Sequence, residues 1–113
     1  MPTRIDLTLY EGNDEEVAVT VTTDDGAPYD LSSVTLEMVI KPSAGTPDTA
    51  EGVYRLSTVT GEIVVDNAAA GAATVTIDRS ILSEPGTRAW RLDAVAPGTR
   101  RTIMYGPLHI IDL

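Results

Sequence analysis

The stretch GTRAWRLDAVAPGTRRTIMYGPLHIIDL, residues 86–113, decides the fold because it predicts two long strands joined by a tight turn. In its first half, Trp90 and Leu92 alternate with Arg91 and Asp93, which is the period-two pattern of a strand with one buried face. A proline–glycine pair then supplies the turn, and the chain returns as the partner strand. The sequence therefore predicts a long hairpin to which the other strands add.

Six more segments carry the same alternation of apolar and polar residues, with turn residues between them at roughly ten-residue spacing. A long flexible loop is expected over residues 42–52, because Pro42 cannot donate to a strand ladder. One short helical turn is expected over residues 78–83, with Asp78 as its N-cap. The eight predicted strands cover residues 5–9, 17–21, 34–41, 53–58, 62–65, 73–77, 90–94 and 101–105.

Seven or eight short strands, without a helix long enough for a crossover, predict an all-β fold. The expected architecture is an immunoglobulin-like antiparallel β-sandwich with one short helical turn, and a small closed barrel is the less favoured alternative. The length of 113 residues fits a single domain, 1–113. Because the chain has one tryptophan and no phenylalanine, Val, Ile, Leu and Ala are expected to build most of the core.

The composition excludes several classes of protein. Without cysteine, the chain cannot form disulfides, zinc ribbons or thiol nucleophiles. The first residues lack the basic start and apolar run of a signal peptide, and no apolar stretch has the length of a membrane span, so we expect synthesis in a cytoplasm and no membrane partner. The net charge of −9 argues against binding to nucleic acid, which draws its affinity from clustered Lys and Arg.

Candidate chemical groups are few. The acidic run Glu11, Asp14, Glu15 and Glu16 lacks the spacing of an EF-hand loop and is typical of a solvated turn. His109 is the only histidine, so a two-histidine metal site cannot form. The serines lack a nucleophile-elbow context, and the glycines form neither a phosphate loop nor a dinucleotide fingerprint. We therefore expect no enzymatic activity, no cofactor and no small-molecule substrate.

Charge is distributed unevenly along the chain. Residues 1–66 hold 13 acids and 3 bases, whereas residues 67–113 hold 4 acids and 5 bases. The hypothesis that follows is a contact between copies, in which the acidic half of one subunit meets the arginine-bearing hairpin of the next. For Arg100 and Arg101 the alternative is a role as solubilising guards at the hairpin.

The last predicted strand has large apolar side chains on both of its faces, whereas an ordinary sandwich strand shows one face to water. Met104 and Leu108 lie on one face, and Tyr105 and Ile111 on the other. Either a bulge at Gly106-Pro107 switches the faces, or a second subunit covers the second face. The candidate interface residues are Arg88, Arg91, Arg100, Arg101, Ile103, Tyr105, Ile111 and Leu113.

Four segments of the chain resemble small β-sandwich proteins of tailed bacteriophages. This family includes the collar protein that carries lateral tail fibres and the N-terminal domains of upper baseplate proteins. The resemblance implies a structural part of the virion, often assembled as a ring, with no catalytic residues. The segments are LTLYEGND (7–14), DGAPYDL (25–31), PGTRAWRL (85–92) and YGPLHI (105–110).

The function expected from this resemblance is that of a non-enzymatic virion protein, made in the host cytoplasm. Its partners would be further copies of itself and other virion proteins. A tail accessory protein of collar, baseplate or minor-tail type, forming a homo-oligomeric ring, is favoured. The alternatives are a capsid decoration protein and a carbohydrate-binding or adhesion module, although Trp90 and four tyrosines are few aromatic groups for stacking on sugars.

Overall fold

The computed structural model describes residues 3–23, 25–43 and 45–112, in which two β-sheets face each other. All regular elements in these residues are strands, so the predicted all-β sandwich is confirmed. Nine strands are present: β1 (Thr3–Arg4), β2 (Leu7–Tyr10), β3 (Glu15–Thr20), β4 (Thr35–Lys41), β5 (Tyr54–Ser57), β6 (Ile63–Asn67), β7 (Ala72–Ile77), β8 (Gly86–Ala96) and β9 (Thr99–Ile111).

The predicted hairpin forms the centre of the larger sheet. Strands β8 and β9 pair antiparallel from Gly86 opposite Ile110 to Ala96 opposite Thr99. The order in this large sheet is β1-β9-β8-β4-β5, with β2 also paired to β9, and the small sheet has the order β3-β7-β6. The predicted hairpin is thus the part of the large sheet that pairs with the most other strands.

The first two strands depart from the predicted antiparallel pairing. Both β1 and β2 run parallel to β9, with Thr3 opposite Met104 and Leu7 opposite Leu108. At the break between them, the Ile5 amide donates to the Tyr105 carbonyl oxygen at 2.8 Å. Alternation within a segment predicts a strand but not its partner, because pairing depends on residues about a hundred positions away.

The core lies between the two inner faces, where the alternating apolar residues of the strands meet. As expected, Val, Ile, Leu and Ala build most of it, together with Met38, Met104 and Trp90. Leu82 closes one end of the sandwich and is fully buried. The large sheet contributes Leu36, Ile40, Leu92, Ala94, Leu108 and Ile110, and the small sheet contributes Val19, Ile63, Ala73, Val75 and Ile77.

The segment predicted as a helical turn, residues 78–83, is a pair of overlapping turns instead. The amide of Ile81 donates to the carbonyl oxygen of Asp78 at 3.0 Å, and the amide of Leu82 donates to that of Arg79 at 3.1 Å. The Asp78 carboxylate caps the segment by accepting from the Ser80 amide at 3.1 Å. Pro85 and Gly86 follow too soon for a helix to propagate.

The bulge in the last strand lies at Ile103, so the predicted bulge at Gly106-Pro107 is wrong. The ladder steps from Leu92 opposite Met104 to Asp93 opposite Thr102, which leaves Ile103 as the extra residue. An extra residue reverses the alternation of side chains. Arg100 and Thr102, which precede the bulge and would otherwise point inward, therefore lie on the outer face. Met104, which follows the bulge, points into the core.

Candidate interaction surfaces

An ion-pair network covers the outer face of the large sheet. Three carboxylates, Glu37, Asp48 and Asp93, alternate with four cations. Glu37 accepts from Arg55 at 2.6 Å and from Arg100 at 3.1 Å. The remaining links are Arg100 to Asp93 at 2.6 Å, Arg91 to Asp93 at 3.0 Å, Arg91 to Asp48, and Lys41 to Asp48 at 3.0 Å.

Asp93 is the buried centre of this network, with 1% of its surface exposed. Its carboxylate accepts from Arg91, from Arg100 and from the Thr102 hydroxyl, the last at 2.8 Å. A buried carboxylate is stable only when its oxygens are satisfied in this way. The bulge at Ile103 makes these hydrogen bonds to Asp93 possible, because it places Thr102 and Arg100 on the same face as Asp93.

Asp48 fastens the predicted 42–52 loop onto the same face. It accepts from Lys41 and from Arg91, which lies 43 residues further along the chain, and the Lys41 ammonium also donates to the Thr46 carbonyl oxygen at 2.9 Å. Hydrogen bonds from Arg91 and then from Lys41 hold the pKa of Asp48 well below its ordinary value of 3.8. Val39 lies between Arg55 and Arg91 in the ladder and is fully buried despite its outward register.

Beside the network, the outer face carries a groove of about 590 Å³ between the start of the 42–52 loop and strands β1, β8 and β9. Its walls carry four cations, Arg4, Lys41, Arg88 and Arg91, and Tyr105 is 42% exposed within it. Arg4 pairs with Asp6 at 2.9 Å, and its side chain remains 59% exposed. The other lining residues include Pro42, Ser43, Thr87, Ala89 and Pro107. We call this feature the outer-face groove.

One end of the sandwich is strongly acidic. The turn after β2 meets the turn after β7 there: Arg79 binds the Asp14 carboxylate at 2.7 Å, and the Gly12 amide donates to the Leu82 carbonyl oxygen at 3.1 Å. Hydrogen bonds from Arg79 lower the pKa of Asp14. We define the acidic end as this group of turns and strand ends, which holds Arg79 and the carboxylates Glu11, Asp14, Glu15, Glu16, Asp78, Glu84 and Asp112.

The outer side of β9 also exposes an apolar strip next to the groove. Tyr10 on β2 lies directly opposite Ile111 on β9, and the two are 40% and 41% exposed. His109, the only histidine, lies between this pair and Tyr105 and approaches the Thr87 hydroxyl through Nδ1 at 3.3 Å. Tyrosine and arginine beside apolar side chains are the residues that protein interfaces favour.

The four arginines predicted at an interface divide into two pairs. Arg91 and Arg100 lie on the outer face, where carboxylates of the same chain already bind them. Arg88 and Arg101 lie opposite Leu108 and Ala94, in the inward register of the hairpin. Among the residues that the structure describes, neither Arg88 nor Arg101 has a carboxylate within 4.0 Å.

The apolar residues predicted at the interface are also distributed unequally. Tyr105 and Ile111 are exposed on the outer face, as an interface would require. Ile103, the bulge residue, is half-buried against the core, and Leu113 lies outside the described residues. The sequence missed Lys41 and Asp48 as part of this surface, because only the folded loop brings them to Arg91.

A second groove, of about 520 Å³, lies where the edge strand β5 meets the small sheet. Tyr54 is 40% exposed there, beside the carboxylates of Glu62 and Asp78. Both carboxylates are already hydrogen-bonded: Glu62 accepts from the Ser57 amide at 3.2 Å, and Asp78 from Ser80. The pKa of Glu62 is lowered by the hydrogen bond from the Thr60 hydroxyl and then by that from the Ser57 amide, and the pKa of Asp78 is lowered by the hydrogen bonds from the Ser80 hydroxyl and amide.

The described residues contain neither a metal-binding cluster nor a membrane-spanning helix. Over residues 3–23, 25–43 and 45–112, no group of three or more His, Asp or Glu side chains is arranged to hold a metal ion. In the same parts of the chain, no helix is long and apolar enough to cross a membrane.

Comparison with known proteins gives a structural likeness. No protein-family model matches the chain, and no curated protein matches its sequence. The fold is similar to the N-terminal domain of phage TP901-1 ORF48, with a TM-score of 0.61 and 13% identity over 99% of this chain and 89% of that one.

A second structure, a DUF4784 family protein from Bacteroides caccae, is similar at a TM-score of 0.47 and 12% identity, over 96% of this chain and 22% of that one. A likeness with this TM-score gives no information about function. The likeness to the phage domain establishes a shared fold along almost the whole chain.

Proposed function

We propose that the protein is a non-enzymatic structural component of a phage virion: a tail accessory protein of collar, baseplate or minor-tail type. The observation that carries the proposal is the shared fold with a phage domain, which extends over 99% of this chain and 89% of that domain. The segments that resemble small phage β-sandwich proteins support the same assignment.

The proposed mode of action is assembly into a homo-oligomeric ring through the outer face of the large sheet. Tyr10, Tyr105 and Ile111 expose large apolar groups there, on a sheet that the ion-pair network braces. Exposed apolar patches with polar rims are typical of interfaces between proteins. The proposed partners are further copies of the chain and other virion proteins.

The solution mass of the purified protein tests the ring. Light scattering, combined with negative-stain electron microscopy, should show closed particles of uniform size. Tyr105→Ala should reduce their population, because it removes an exposed aromatic group without touching the core, and Val59→Ala is the matched control, since Val59 is 80% exposed on a turn away from this face. A protein that stays monomeric at all concentrations would contradict the ring.

A carbohydrate-binding module is a second candidate, which the Tyr54 groove favours. An exposed aromatic ring beside carboxylates and hydroxyls has the composition of a sugar subsite. A glycan array should then show binding that Tyr54→Ala abolishes and Tyr10→Ala, with the same exposure of 40%, leaves intact. An array without signal for the wild-type protein would remove this candidate.

A further inference from the structure

Positive charge in this molecule is concentrated on one face. Five of the eight cations, Arg4, Lys41, Arg55, Arg91 and Arg100, lie on the outer face of the large sheet, where they pair with four carboxylates. The chain has 17 acidic residues in all, so most of its carboxylates lie elsewhere. The outer face is thus the part of the surface that another copy approaches with least repulsion.

The acidic end carries the opposite charge. It includes seven carboxylates, one of which, Asp14, binds Arg79. Of these, Glu16 and Glu84 are exposed and lie within 4.0 Å of no cation among the described residues. Like charges confined to one end raise the free energy of the isolated molecule, and a cationic partner relieves this repulsion.

The two surfaces of one molecule cannot meet each other. Arg4 lies opposite Tyr105 in the ladder and Tyr10 lies opposite Ile111, so six residues of extended strand separate Arg4 and Tyr105 in the groove from the acidic turn. At about 3.3 Å per residue the distance is roughly 20 Å. The complementary charges can therefore be brought together only between copies.

The groove has the shape and chemistry to receive a carboxylate-bearing turn. Its volume of about 590 Å³ accommodates several side chains, and its floor includes the small residue Ala89. Arg4 at its wall is 59% exposed even with Asp6 bound, so its guanidinium remains accessible to a second carboxylate. Tyr105 offers an apolar surface with a hydrogen-bonding tip beside it.

We propose that the outer-face groove binds the acidic end of a second copy, in a head-to-tail contact centred on Arg4 and Tyr105. The inference rests on the proposed ring, for which it names the two surfaces that meet. Because groove and acidic end are different patches, the contact is heterologous and repeats in one direction, which produces a closed ring when the rotation between copies permits.

Two charge-reversal variants test the contact. Arg4→Glu impairs the groove, and the double variant Glu16→Lys/Glu84→Lys impairs the acidic end. Each alone should weaken self-association at low salt by about tenfold or more. An equimolar mixture should associate more strongly than either variant alone, because the intact groove of one variant meets the intact acidic end of the other. High salt should dissociate the wild-type assembly.

The matched controls are Arg101→Glu and Asp66→Lys. Arg101 is an exposed arginine that does not line the groove, and Asp66 is an exposed carboxylate at the far end of the small sheet from Glu16. Both should assemble as the wild type does. Circular dichroism of each variant establishes that it is folded, and Tyr105→Ala serves as the second groove variant if Arg4→Glu does not fold.

The outcomes separate this inference from the proposed function. If the wild-type protein is monomeric at low salt, the homo-oligomeric ring and the contact both fail. If the wild type assembles and the groove and acidic-end variants assemble equally well, the ring stands and the head-to-tail contact is overturned. A closed wild-type dimer, insensitive to salt, would replace it with a face-to-face contact between two outer faces.

Discussion

The indole nitrogen of Trp90 donates a hydrogen bond to the main-chain carbonyl oxygen of Ile5, 3.2 Å away. Trp90 is almost fully buried and Gly106 lies opposite it in the ladder, so the bond joins the first strands to the centre of the large sheet. It satisfies the one polar atom of the indole ring and orients the chain at the break between β1 and β2.

Gly106→Ala should disrupt this junction, because a β-carbon at Gly106 would collide with the Ile5 carbonyl oxygen. We expect the free energy of unfolding to fall by about 3 kcal/mol, the scale of an overpacked core position. Urea denaturation followed by Trp90 fluorescence measures the change. Gly45→Ala is the control, since nothing lies within 4 Å of a β-carbon there, and equal midpoints for the two variants would contradict the prediction.

Asp93→Asn should destabilise the outer face by removing the charge at the centre of its network. The loss expected is about 2 kcal/mol, less than for a fully buried pair, because Arg100 is 44% exposed and partly solvated. Chemical denaturation of Asp93→Asn and of the exposed control Glu51→Gln gives the comparison. A change no larger than that of Glu51→Gln would mean that the network contributes little to stability.

Acidification should release the contribution of Asp48. Its folded pKa is depressed below the ordinary 3.8, so the unfolded chain binds the proton more tightly. The contribution is complete above the ordinary pKa and is lost as the pH falls through the lower folded pKa. Between about pH 5 and about pH 3, the wild-type free energy of unfolding should therefore fall more steeply than that of Asp48→Asn. Parallel curves for the two proteins would refute this.

Leu82→Ala should open the end of the sandwich that this side chain closes. Leu82 is fully buried, so truncation removes apolar contacts and leaves a cavity. The expected loss is on the order of 3 kcal/mol. Thermal unfolding monitored by circular dichroism measures it against Val59→Ala, in which a side chain that is 80% exposed is shortened with little expected effect. Similar melting temperatures would show that the turn over residues 78–83 is not part of the core.

The candidate surfaces could be predicted only in part. Alternation predicts that Tyr105 and Ile111 share the face opposite to Met104 and Leu108, and the structure has both on that outer face, because side-chain alternation is a local property of a strand. Arg91 and Arg100 are interface candidates in the sequence, and the structure adds that carboxylates from distant parts of the same chain, Asp48 and Glu37, bind them. The sequence holds no signal for those pairs, since an ion pair across 43 residues depends on how the loop folds back.

The sequence by itself determined which segments become strands and which of their residues build the core. Alternation over Leu36, Met38 and Ile40 suffices for this, because burying apolar groups on one face of a pleated strand is a local requirement. Only the tertiary structure decided that β2 runs parallel to β9, that the bulge lies at Ile103, and that Asp48 holds the 42–52 loop. Register and pairing are set by contacts between residues far apart in the chain. The free energies of those contacts cannot be inferred from a short stretch of sequence.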